Sequence, residues 1–256
     1  MMKIMKTELI KLQRYSVVWI GVAAMLSVVL LTRFMATASD GTVHTLENFS
    51  INVIWNNYSI MFPAAITLIA GYIVDRERTA DTLKNILTVP VSFRKLLAGK
   101  LMAVGLLSIL LALVEFSLTM AVFFMSRYPG FSVLGMLRVM LQMAGMNVCV
   151  YIAVLPIIAV TAQRSGSFMP GVGFAFFYGF IGTFASGHGL GEIYPITAGL
   201  GLIGYQNGGT GEEYHVVLSA GVLLLMLLIA AVLVLTSRNR EPAVKKSAYN
   251  KKHKGD

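Results

Sequence analysis

Few residues in this chain are placed to do chemistry. "ASGHG" sets Ser186 two residues from His188, a nucleophile and a base by type. A serine nucleophile needs its base within hydrogen-bond reach, and a third group to orient that base. Two residues apart in a glycine-rich stretch, the pair reads as part of a turn. His44, His215 and His253 form no HExxH pattern and no close cluster with the single cysteine, Cys149, so no metal centre is expected. Cys149 lies in an apolar run and reads as packing. "RKLLAGKL" has the Gly99-Lys100 pair of a phosphate loop, but Arg94 stands where its first glycine belongs and Leu101 where Ser or Thr belongs. No catalytic, cofactor-binding or metal-binding residue is expected in this chain.

The other polar residues to explain are those inside apolar runs. Glu115, in "LALVEFSLTM", sits near the middle of one such run. A charge at the centre of a bilayer costs about 2.5–3.5 kcal/mol on insertion scales, so it must face protein or water. It either contacts substrate or protons on a pathway, or it locks helices together. Asn147, with Gln142 and Tyr151, recurs at helical spacing on the next run, where such residues more often join helices than bind ligand. No Asp lies within a run, so a paired-aspartate membrane protease is unsupported.

These residues have to be held by membrane helices. The 256 residues are 56% hydrophobic and 13% charged, and the mean hydropathy is +0.73. A soluble domain carries about 25% charged residues. A helix needs about 20 apolar residues to cross the hydrocarbon. Six runs qualify: Val17–Ala36, Val53–Val74, Leu101–Phe124, Val139–Ala162, Phe168–Phe184 and Val216–Leu235. "FMATAS" offers a signal-peptidase-like Ala36-x-Ala38, but the length of the first run favours a span.

Of the 21 Lys and Arg, 18 fall in the N-terminal segment, the second and fourth connections and the tail. This bias predicts both termini in the cytoplasm. It accounts for the net charge of +9 without a nucleic-acid partner. Residues 1–16 place Ile4, Leu9, Ile10 and Leu12 among lysines, as in an amphipathic helix lying on the membrane surface. Residues 17–236 form the six-span domain, and 237–256 a basic cytoplasmic tail that lies near membrane lipid. Arg33 and Arg138 stand near span ends and can snorkel to the interface. Gly171, Ala175 and Gly179 recur every four residues on the fifth span, a face for close helix approach either within the chain or at a dimer interface. The segment Gly187–His215 has no Lys or Arg, and its "IYPITAGLGLIG" is expected to be re-entrant or interfacial.

"DRERTADTLKNILTVPVSFRKLLAGK", Asp75 to Lys100, holds nine charged residues between two spans. Thr79 can cap a helix. Asp81 suits its first turn, and Leu83, Ile86 and Leu87 share one face. Pro90 ends it, and Ser92 can cap the next helix. Such an element offers its apolar stripe to a protein partner or to the lipid surface.

This stretch resembles the coupling-helix region of type-two ABC exporter permeases, an all-α integral membrane family of six spans. Glu77, Thr82, Leu83, Ile86, Leu87, Pro90, Arg94 and Lys100 stand at that pattern's places, with Asp81 where a glycine is common. "TELIKLQRYS" is similar to the family's first segment, particularly in permeases for lantibiotic self-immunity and bacitracin resistance. The resemblance implies a coupling helix within 75–93. Glu77, Thr79, Thr82, Leu83, Ile86, Leu87 and Arg94 would meet two copies of a separate ATP-binding subunit, which carries the ATP and Mg. It implies a second permease copy or paralogue, met through the first and fifth spans, and a bacterial cell-membrane location. It also implies an amphipathic peptide antibiotic or similar drug as substrate, moved outward or out of the membrane. A non-transporting sensor or scaffold, or less readily an intramembrane enzyme, is the alternative.

Overall fold

The computed structural model describes residues 2–12, 14–38, 44–79, 92–163, 166–205 and 214–237. Among these there are nine α-helices, one π-helical turn and no strand. In chain order they are α1 (Met2–Leu12), α2 (Val17–Met35), α3 (Leu46–Asn56), the π turn (Asn57–Met61), α4 (Phe62–Thr79), α5 (Phe93–Met125), α6 (Val133–Thr161), α7 (Phe168–Gly187), α8 (Ala198–Leu202) and α9 (Val216–Leu235). Among the described residues, six stretches are long and apolar enough to cross a membrane, with α3, the π turn and most of α4 forming one of them. Hydrocarbon leaves backbone groups no outside partner, so helices are the form these runs must take.

Local sequence fixes the helix starts. The side chains of Thr45, Ser92 and Ser132 accept from the backbone N–H of Asn48, Lys95 and Gly135, satisfying donors that the first turn leaves free. Burial follows one stripe per helix. On α2, Val17, Gly21, Met25, Val28 and Thr32 face inward, while Trp19, Leu30 and Phe34 are exposed on the lipid side. The second and fourth spans are the most buried, and α9 the least.

The second span starts earlier than hydropathy suggests, at Leu46 rather than Val53, and its helix runs on through Thr79. Thr79 thus ends the α4 helix. The segment it was expected to cap, 80–91, lies outside the described residues, and so does any coupling helix there. Within this span the chain widens into a π turn just before Pro63. Proline cannot donate to the carbonyl four residues back and its ring crowds that carbonyl, so the ladder opens.

The opening has an occupant. A Cβ on Gly179 of α7 would lie 2.9 Å from the Ser59 carbonyl oxygen and 2.9 Å from Pro63 Cγ. A Cβ on Gly171 would lie 2.6 Å from Thr161 Cγ2, and Ala175 is fully buried. The small-residue face therefore packs inside the chain, against α4, the π turn and the end of α6. The outer face of α7 carries exposed Phe174, Phe177, Ile181 and Phe184.

The segment after α7 tucks inward. Ile196, Thr197, Ala198 and Leu200 are fully buried, α8 lies against α6 and α9, and Gln142 Nε2 donates to the Ile203 carbonyl (3.1 Å). Cys149 is buried beneath it. On this packing, Gly179→Leu is expected to lower the melting temperature of the purified protein through an overpacking cost of about 1–3 kcal/mol. Gly173→Ala, where the new Cβ meets no neighbouring atom within 4 Å, is expected to leave it unchanged or slightly raised, since alanine is the better helix former.

Candidate functional site

The polar residues gather at two levels. The first lies at mid-span and joins the second, third and fourth spans. Asn57, at the head of the π turn, donates from Nδ2 to Glu115 Oε2 (2.8 Å) and reaches Asn147 Oδ1 (2.9 Å). Asn147 Nδ2 donates to the same Glu115 oxygen (3.0 Å). Thr119 Oγ1 donates to the Glu115 backbone carbonyl (2.8 Å). Glu115 and Asn147 are 1% exposed and Asn57 is 2% exposed. Both donors to the Glu115 side chain come from other spans. The arrangement binds three helices at one point.

The second level is at the end of the molecule that carries α1. Lys100, on the first turns of α5, donates to Glu8 Oε2 of α1 (2.9 Å) and to the Ile73 carbonyl of α4 (3.3 Å). Lys11 holds the other Glu8 oxygen at 2.8 Å. Glu8 and Lys100 are each 2% exposed. Burial alone would raise the Glu8 carboxyl, but Lys100 and Lys11 outweigh it and hold the group below its ordinary value.

Three further ties close this end. Arg76 stacks over Tyr15 (4.3 Å to the ring centroid). Asp75 Oδ1 accepts from the Gly166 N–H (3.0 Å). Arg94 Nε donates to the Ser237 carbonyl (3.3 Å). Residues on either side of segment 80–91 are thus fastened to the α1–α2 connection, to the α6–α7 connection and to the end of α9.

Of the expected site residues, Glu115 and Asn147 are brought together and Arg94 is placed beside α9. Gly171, Ala175 and Gly179 are buried inside the chain. Glu77 and Thr79 belong to the α4 helix, and nothing further is described of their side chains. Thr82, Leu83, Ile86 and Leu87 lie outside the described residues. Ser186 and His188 take separate partners: the Ser186 hydroxyl lies 3.4 Å from that of Tyr214, and His188 Nδ1 lies 2.8 Å from the Phe184 carbonyl.

Sequence reasoning missed two members. Asn57 sits in "IWNNYS", two amides within an apolar run, and Glu8 is the one acid in a basic amphipathic segment. Each is a polar group sunk where it must find a partner, and that was the available signal.

A bundle of six spans, pinned by a buried amide–carboxylate cluster and a buried ion pair, defines a multi-pass helical membrane protein. Residues 4–182, from α1 to within α7, match the family described as ABC-2 family transporter protein. The chain belongs to that family of ABC transporter membrane subunits, which normally work with an ATP-binding subunit. Comparison with curated proteins and with solved structures gives no match.

Lys100→Met leaves Glu8 buried with its main partner gone, and is expected to cost about 3–5 kcal/mol. Glu8→Leu combined with Lys100→Met is expected to recover most of that in thermal denaturation. Because the folded Glu8 titrates lower than the unfolded one, its contribution is complete above the ordinary glutamate value of 4.5 and is lost as pH falls through the folded value. An acid melting series is expected to show this loss in the wild type and not in the double variant.

Proposed function

We propose that the chain is the permease subunit of an ATP-driven exporter with both termini in the cytoplasm. It would pair with a second permease copy or paralogue and be driven by two ATP-binding subunits. Family membership is the observation that carries this reading. The fastening of α4 and α5 around segment 80–91 supports it physically. A push on Thr82, Leu83, Ile86 and Leu87 would reach α5 and, through Lys100 and Glu8, α1. In this reading the segment is the coupling helix, and nucleotide-driven closure of the partner rocks the spans between inward and outward access.

The substrate class we favour is an amphipathic peptide antibiotic or similar drug, moved outward or out of the membrane for resistance or self-immunity. Asp40, Glu47, Glu192, Glu212 and Glu213, which the charge bias assigns to the outer connections, would favour a cationic peptide. We assign Glu115 and Asn147 to a lock that moves spans two to four as one body, because the side-chain N–H groups of Asn57 and Asn147 both donate to Glu115 across three spans.

Leu83→Asp combined with Leu87→Asp is expected to abolish ATPase co-purification and resistance, while membrane insertion stays normal. Retained co-purification overturns the coupling assignment. Glu115→Gln, which keeps shape and an acceptor, is expected to retain transport. Glu115→Leu leaves two buried amides without their acceptor, and is expected to reduce the folded yield through about 1–3 kcal/mol per unmade bond.

A further inference from the structure

A groove of about 690 Å³ opens between α5, α6 and α9 at the α1 end of the bundle, with no residue of either polar cluster in its lining. Its floor is α5 from Ala98 to Ile109, its walls include Leu155 of α6 and Ala231 of α9, and Met5 of α1 borders it. We propose that it holds an acyl chain of an anionic phospholipid from the adjacent leaflet, with the lipid phosphate on Arg94 and Lys95. The proposal goes beyond the exporter reading and needs only that the bundle sits in a bilayer.

The lining selects hydrocarbon. Tyr151 carries the one polar side-chain group among the lining residues, and its hydroxyl is donated to the Leu101 carbonyl. A peptide in this groove would leave backbone N–H and C=O groups without partners, at a cost an acyl chain does not meet. The depth also fits. Eleven residues separate Ala98 from Ile109, about 16 Å of helix at 1.5 Å per residue. Half of a hydrocarbon core about 30 Å thick is one leaflet.

Charge at the groove's end selects the headgroup. Arg94 and Lys95 precede Ala98 by four and three residues, so they lie one turn beyond the floor, toward the end of the bundle. Both are exposed. The bond from Arg94 Nε to the Ser237 carbonyl fixes the guanidinium between the start of α5 and the end of α9, the two helices that frame the groove. Its remaining donors have no partner among the described residues, and a planar guanidinium suits a phosphate. Basic residues between spans at the interface are a recurrent form of anionic headgroup recognition. Among the described residues, no exposed aromatic side chain lines the recess; those of α2 and α7, such as Trp19, Phe34, Phe174 and Phe177, lie elsewhere.

Native mass spectrometry of the full-length protein, titrated with phosphatidylglycerol and with phosphatidylcholine of identical chains, tests the proposal. One phosphatidylglycerol per chain is expected to survive activation that strips phosphatidylcholine, a preference on the order of ten-fold. Ala231→Trp, which fills the groove from an exposed position, is expected to abolish retention of both lipids. Arg94→Gln with Lys95→Gln keeps a donor for the Ser237 carbonyl and removes the charge, and it is expected to erase the preference while retention persists. Equal retention of the two lipids by the wild type overturns the proposal. So does undiminished phosphatidylglycerol retention in Ala231→Trp, or a dimer lost in that variant without lipid release. If Ala231→Trp fails to fold, the charge variant decides alone. The assay contains no ATP and no drug, so its failure leaves the exporter reading standing.

Discussion

Hydrocarbon offers no hydrogen-bond partner, and the architecture of this chain depends on that constraint. A carboxyl group taken out of water must be met by donors within the fold. Glu115 is met by Asn57 and Asn147, and Glu8 by Lys100 and Lys11. Each cluster spans several helices because no single helix can supply all its members at one level. The polar residues that seem to burden an apolar protein are the ones that fix which helices are neighbours.

The apolar contacts are built around the same points. The π turn begins at Asn57, so the residue that anchors the mid-span cluster also opens the widened backbone. Pro63 leaves the Ser59 carbonyl without its usual donor, and Gly179 lets α7 approach that carbonyl closely. Hydrogen bonding, a widened backbone and small-residue packing thus meet within one short stretch of the second span. At the α1 end, Lys100 joins α1, α4 and α5 through two bonds. Force applied beside it would not stay in one helix.

Much of this was legible before any coordinates. Long apolar runs announced the six spans, and charge asymmetry supplied an orientation to expect. The Ser92 cap was readable because capping is set by residues three apart in the chain. The start of the second span was misjudged because Leu46–Asn52 is polar enough to lower its hydropathy, yet Leu46, Phe49 and Ser50 are buried against neighbouring spans. The face of Gly171, Ala175 and Gly179 was recognisable as one that welcomes a close neighbour, but its spacing is silent on which neighbour.

The sequence alone determined which segments enter the membrane and which polar residues would need partners, because transfer to hydrocarbon is a local property of side chains and backbone. It also placed the chain in its family through the pattern around Asp75–Lys100 and the N-terminal segment. Only the tertiary structure decided the pairings: Glu8 with Lys100 across 92 positions, Asn57 with Glu115 across 58, and Gly179 with the carbonyls of the π turn. Those choices depend on how the helices are rotated and which lie side by side. The packing of the whole bundle sets both, and no local window of sequence contains them.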